Sequence, residues 1–179
     1  MRDWNVVAIT REHRFSDAVH LLRNFGEVEK TGYFDVVVIR VAEIHLFLDQ
    51  LHERLGEEPV VEQILGRVSP CTATFVYHSP DEFETKARRA VRELVPKLAG
   101  RRFHVRMHRR GFKGRLHAME EEQFLDKVLL EMLDEQATPG TISFEDPQAI
   151  VAIETVDTRA GLAAWTDTDL ARYRLLSLD

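Results

Sequence analysis

Short β-branched runs and longer stretches of helical spacing alternate along the chain, and their order predicts a mixed α and β fold. Residues 4–10 and 34–40 are brief and rich in β-branched side chains, as strands are. Between them Phe15, Ala18, Val19, Leu22 and Phe25 recur at helical spacing. A second helix is predicted from Glu43 to about Leu55, with Ile44, Phe47, Leu48 and Leu51 on its buried stripe. Gly56-Glu57-Glu58-Pro59 breaks that helix and marks the boundary between two lobes, taken as residues 1–62 and 63–179.

In the second lobe, residues 71–77 alternate, with Cys71, Ala73, Phe75 and Tyr77 on one face and Thr72, Thr74 and Val76 on the other. Ser79-Pro80-Asp81-Glu82 is a helix start: the serine caps free backbone N–H groups, proline has none to waste, and the acids suit the helix dipole. Phe83, Ala87, Val91, Leu94 and Leu98 then mark the inward stripe, leaving Lys86, Arg89 and Arg92 outside, and Pro96 bends or ends the helix. From Phe103 the period becomes two, with Phe103, Val105 and Met107 opposite His104, Arg106 and His108. Leu125, Val128, Leu129, Met132 and Leu133 define an amphipathic helix over about 119–135. Strands are predicted at 142–144, 149–155 (nearly all apolar, hence central) and 161–165, and Asp167 caps a last short helix. No internal repeat interrupts this order, which has too few β-α-β units for a Rossmann sheet and reads as α/β or α+β in two small lobes.

An apolar fraction of 44% in 179 residues is enough for an ordinary core. No apolar run approaches the roughly 20 residues that span a bilayer. The N-terminus lacks the basic and apolar regions of a secretory signal, and Cys71 is the single cysteine, so no intrachain disulfide forms. A cytoplasmic protein is expected. Charge changes the picture more. Residues 86–117 hold twelve lysines and arginines against one acid, Glu93, whereas residues 1–85 carry −7 and 118–179 carry −10, giving the chain its −6. An acidic protein with one strongly cationic stretch can still attract a polyanion, because binding follows the local field rather than the global sum.

The densest part of that stretch is FHVRMHRRGFKGRLH, residues 103–117. Gly111-Phe112-Lys113-Gly114 is a G-x-x-G with a cation inside it. Two glycines let backbone approach a phosphate, the lysine adds charge and the following helix start adds partial positive charge. The KH module clamps nucleotide backbone with such a loop, although that loop joins two helices and this one joins a strand to a helix. A tight strand-to-helix turn with a solvated cation explains the same glycines. Phe112 likewise fits either a base-stacking ring or a hydrophobic plug under the loop.

Several pieces together resemble a known family. Arg67-Val-Ser-Pro70, the helix after Ser79, FHVRMHRRG, the acidic-headed helix near Glu120, and Phe144-Glu-Asp-Pro147 followed by Ala149-Ile-Val-Ala-Ile153 look like a THUMP domain over about residues 63–179. The lobe ahead of it resembles the N-terminal ferredoxin-like domain that accompanies THUMP in RNA-modification proteins. The resemblance implies RNA binding, chiefly tRNA, on behalf of a catalytic domain such as those of 4-thiouridine synthetases and tRNA methyltransferases. It is nearest to stand-alone THUMP proteins that present tRNA to a separate cytidine acetyltransferase. Leu116-His117-Ala118 departs from the family by replacing a serine-type cap.

The expected RNA-binding residues are therefore Arg106, Arg109, Arg110, Lys113 and Arg115 with Gly111 and Gly114, extended by Arg67, Arg89, Arg92, Arg101 and Arg102. Structured RNA and a tRNA-modifying enzyme are the expected partners, with no membrane, cofactor or metal and no catalytic activity in the chain itself. No Walker A motif, dinucleotide fingerprint, G-x-S-x-G, H-E-x-x-H or paired cysteines occur. Two alternatives stand beside this reading: an adaptor whose basic face docks an acidic protein, and a small enzyme using His104, His108 and nearby acids. Glu120, Glu121 and Glu122 fit the ordinary placement of acids in a first helical turn as well as a catalytic role. Cys71, in an apolar strand, reads as a buried inert thiol.

Overall fold

Each apolar stripe finds a partner layer in the computed structural model, which describes residues 3–176. The chain forms two compact units, one from residues 3–72 with 169–176 and one from Ala73–Thr168.

In the first unit the order is β1 (Val6–Thr10), α1 (Phe15–Leu22), β2 (Glu27–Lys30), β3 (Val36–Arg40), α2 (Ile44–Glu57), a 3-10 turn (Pro59–Gln63) and β4 (Leu65–Pro70). The sheet runs β2-β3-β1-β4 with every pair antiparallel, so that Val6 stands opposite both Ile39 and Pro70. This β-α-β-β-α-β order is the split β-α-β arrangement. Central β1 and β3 are buried along almost their whole length, as their unbroken valines and isoleucines require. By contrast, β2 is a largely exposed edge of Glu27-Val28-Glu29-Lys30, with no apolar stripe to announce it. β4 is hidden in the sequence as well, because Gly66 and Pro70 read as breakers, yet an edge strand tolerates both.

The lobe boundary expected at 62/63 therefore moves. Val68 pairs with Ala8 in the first sheet, and its N–H donates to the carbonyl of Leu175 at 2.8 Å, which brings the C-terminal segment back to the same unit. Residues 177–179 lie outside the described residues.

The second unit contains β5 (Ala73–Val76), α3 (Pro80–Ala90), a 3-10 turn (Val91–Leu94), α4 (Val95–Leu98), β6 (Arg102–His108), α5 (Ala118–Glu135), β7 (Thr141–Ile142), β8 (Ala149–Val156) and β9 (Arg159–Thr166), and α6 (Asp167–Arg172) follows. Its sheet runs β5-β9-β8-β6-β7, with β6 parallel to both neighbours and the other pairs antiparallel. Ser79 caps α3 by accepting from the N–H of Glu82 at 3.1 Å. The predicted stripe of Phe83, Ala87, Val91, Leu94 and Leu98 is buried against Leu125, Val128 and Leu129 of α5 and Phe103, Val105 and Met107 of β6.

β7 covers only Arg102 and Phe103, leaving the rest of that edge of β6 without a strand. Two carboxylates of α5 close it. Asp126 Oδ1 accepts from the N–H of Val105 at 2.9 Å, and Glu122 Oε1 accepts from the N–H of Met107 at 2.7 Å, so the exposed ladder donors are satisfied by side chains. Glu122, which follows the first turn of α5, thus has a structural task that the sequence did not disclose. Among the described residues no helix is long and apolar enough to cross a membrane.

Candidate nucleic-acid interface

Strand periodicity places Arg102, His104, Arg106 and His108 on one side of β6, opposite the core-facing Phe103, Val105 and Met107. Their surroundings differ sharply. Arg102 pairs with Asp146 at 2.7 Å, and its Nε also donates to the Asp146 carbonyl at 2.9 Å. His104 is buried, with Nδ1 2.9 Å from the Ser143 carbonyl, which accepts its proton, and its ring lies against Phe144. Arg106 is exposed and makes no ion pair among the described residues. His108 Nδ1 lies 3.3 Å from Oε1 of Glu154, and Arg110 Nη1 donates to Oε2 of the same carboxylate at 2.5 Å.

Glu154 is fully buried, and Arg110 keeps only 15% of its side chain exposed. Its backbone is fixed too: the Arg110 N–H donates to Thr155 Oγ1 at 3.0 Å, and its carbonyl accepts from the N–H of Asp157 at 3.0 Å. Arg110 is thus the counter-ion of a buried carboxylate inside the fold, unlike the solvent-facing cations expected beside it.

The loop after β6 resolves the two readings of its aromatic. Phe112 sits 4.8 Å, centroid to centroid, from Tyr77 and packs against the core, so it is the hydrophobic plug. Gly111 has φ +99°, and a Cβ there would lie 2.9 Å from the Cα of Asp157, so the close approach to the β8–β9 hairpin requires glycine. Gly114 has φ +74° with nothing near the missing Cβ. Arg109 donates from Nη1 to the carbonyl of Gly111. Lys113 and Arg115 project into solvent, the latter with its guanidinium 5.0 Å from the centre of the Phe112 ring. His117 precedes α5 without making a side-chain cap.

The remaining predicted contacts lie on other elements. Arg89 is exposed on α3, while Arg92 lines a groove of about 270 Å³ that also contains Arg88, Glu131 and Glu135, so its field is mixed. Arg102 begins β6 and Arg101 precedes it, about 20 Å along the strand from the loop, at ~3.3 Å per residue. Arg67 belongs to β4 of the first unit. The loop end thus gathers Arg109, Lys113 and Arg115, with Arg106 on the strand leading to it.

Two acids on α5 are shifted. Burial, then the neighbouring carboxylates Glu84 and Glu120, push Glu121 up to about 7, and its Oε2 has no hydrogen-bond partner among the described residues. Burial also raises Asp126 to about 6, opposed by the N–H of Val105 and assisted by Glu122. Among the described residues no group of three His, Cys, Asp or Glu side chains could hold a metal ion. Cys71 is buried, with Sγ 3.7 Å from the Ser69 carbonyl.

No protein-family model matches this sequence. No curated protein matches it at a significant level either. Solved structures do match in fold. TrmN from Thermus thermophilus aligns over 90% of this chain and 44% of its own, at 18% identity and a TM-score of 0.59. A 4-thiouridine synthetase in complex with RNA and bound ATP aligns over 92% of this chain and 42% of its own, at 15% identity and a TM-score of 0.57. SMU.472, named as a methyltransferase and complexed with SAH, aligns over 92% and 41%, at 14% identity and a TM-score of 0.55. The chain therefore shares a fold with these proteins and spans about two fifths of their length.

These matches correct one expectation. The absence of catalytic activity was expected because the chain lacks a catalytic motif, yet the same fold occurs inside a synthetase and a protein named as a methyltransferase. Missing motifs in such a module do not exclude it from an enzyme.

Proposed function

We propose that this chain is an RNA-binding module, most specifically for tRNA, that holds its substrate for an RNA-modifying active site. The carrying observation is the end of β6, where Arg106, Lys113 and Arg115 face solvent without an ion-pair partner among the described residues, beside Arg109. Solvated cations that need no partner for folding are the side chains phosphate can engage. In this reading residues 73–168 are the body of a THUMP domain and the split β-α-β unit is its ferredoxin-like companion. The 4-thiouridine synthetase of the same fold was solved with RNA, which supports the substrate class. The sequence resemblance makes a tRNA acetyltransferase the first partner enzyme to try.

Binding of total tRNA should fall steeply with salt. About four phosphate contacts give a slope of log affinity against log salt of roughly −3, at 0.7 to 0.9 counterions released per contact. Reversing Arg106 and Lys113 to glutamate should abolish most of that binding, whereas reversing Arg14 and Arg23 of the first unit should change it little. Arg110 is left alone in this comparison, since its reversal would place two carboxylates together in the interior. A salt-independent interaction, or equal losses from both pairs, would favour the adaptor whose basic face docks an acidic protein.

A further inference from the structure

We propose that Phe144, backed by His104, is a stacking platform for an unpaired nucleobase, with Arg106 beside it to hold an adjoining phosphate. This rests on the RNA-binding reading and adds a single-stranded element to the ligand.

Phe144 is 68% exposed and is the one exposed aromatic among the described residues of the second unit. A lone phenylalanine in water is usually found on a loose loop, but this one is firmly held. The N–H of Ser143 donates to the Phe103 carbonyl at 2.9 Å, and the N–H of Asp146 donates to Ser143 Oγ at 3.2 Å. Arg102 then grips Asp146 through both backbone and carboxylate, and the N–H of Gln148 donates to the Arg102 carbonyl at 2.7 Å. The loop is therefore tied to the first residues of β6 on either side of the aromatic.

One side of the ring is already occupied. The His104 imidazole lies 4.9 Å away, centroid to centroid, at an interplanar angle of 31°, and its Nδ1 is fixed by the Ser143 carbonyl. The other side meets solvent. A ring fixed in place loses little freedom when a base settles on it, so most of the stacking is retained as affinity. Stacking of this kind tolerates any base, since each has a π-face.

Arg106 follows His104 by two residues on the same strand face, about 6.6 Å further on, and is unpaired among the described residues. An aromatic with a free cation one step along the strand is the pairing that single-stranded nucleic acid requires. A duplex fits it poorly, because its base faces are hidden in the stack. A protein partner fits less well too, since one exposed ring followed directly by the exposed acids Glu145 and Asp146 is far smaller than the apolar patches that mark protein interfaces.

The test uses the full chain, a short single-stranded oligoribonucleotide carrying 2-aminopurine, and a blunt RNA duplex of equal length. Wild type should quench 2-aminopurine on binding. Phe144→Ala should weaken single-strand binding roughly 5- to 100-fold, remove the quenching and leave both the salt slope and duplex binding unchanged. Phe144→Trp should restore affinity and quenching. Arg106→Ala should instead lower the slope by about one unit. Salt-dependent RNA binding that Phe144→Ala leaves within twofold, with quenching intact, would overturn the platform while sparing the RNA-binding reading. Failure of wild type to bind either RNA would overturn both.

Discussion

Gly111→Ala is expected to destabilise the protein by about 3 kcal/mol or more, and Gly114→Ala by about 1 kcal/mol. Both glycines adopt a positive φ, at +99° and +74°, which a side chain resists. Only Gly111 also has backbone against it. The added Cβ would stand 2.9 Å from the Asp157 Cα and 3.1 Å from its carbonyl oxygen, and that segment has no freedom to retreat. Its N–H is bonded to the Arg110 carbonyl, its own carbonyl accepts from the Tyr77 hydroxyl at 3.1 Å, and the next carbonyl accepts from the N–H of Tyr77. At about 2–4 °C per kcal/mol for a chain of this size, melting of Gly111→Ala should fall by roughly 6–12 °C. A loss for Gly114→Ala as large as for Gly111→Ala would show that φ alone, rather than the approach to Asp157, sets the requirement. The comparison also bears on RNA. Since the fold already explains Gly111, only Gly114 remains as a glycine whose bareness could admit a phosphate.

What the sequence disclosed follows from how each feature is encoded. Helices α1, α2, α3 and α5 bury a single stripe, and spacing within about ten residues reveals such a stripe directly. Strands β1, β3, β6, β8 and β9 were legible for a related reason, because their β-branched or alternating residues sit on buried faces. β2 and β4 were not. One is mostly exposed and the other is built from residues that break a central strand, so neither carries a periodic signal, and both are strands because a neighbour supplies the ladder. The lobe boundary was missed with β4.

The candidate site was legible as charge and illegible as geometry. Twelve cations against one acid in residues 86–117 mark a cationic stretch, but ion pairing is settled in space. Glu154 lies 44 residues after Arg110 along the chain and in the strand beside β6, where it meets both Arg110 and His108. Asp146 removes Arg102 from the free set in the same way. In the sequence Glu154 counts only towards the negative charge of residues 118–179, and Asp146 stands out only as part of the Phe144–Pro147 motif, with nothing to link either acid to its arginine. Phe144 was visible only as part of a motif. The sign that could have singled it out is an aromatic between Ser143 and Glu145-Asp146-Pro147, where nothing apolar waits to cover it.

The last expected result concerns Glu121, whose replacement by glutamine should stabilise the protein above neutral pH and flatten its stability profile. The carboxylate is 4% exposed, and burial, with Glu84 and Glu120 close by, raises it from 4.5 to about 7. A raised carboxyl binds its proton more tightly in the folded chain than in the unfolded one. Its contribution is therefore intact below about pH 4.5 and is lost as pH rises towards 7. A shift of that size corresponds to a loss of about 3 kcal/mol at 1.36 kcal/mol per unit, complete by about pH 8. Glutamine keeps the shape and carries no charge at any pH, so Glu121→Gln should melt higher than wild type at pH 8 by roughly 6–12 °C. Near pH 4.5 the two should melt together. Urea or thermal melts of both proteins across pH 4.5–8.5 measure the difference. A constant offset across the range would assign the effect to packing, whereas a gap that opens between pH 5 and 8 identifies the ionisation of a carboxylate held in the interior.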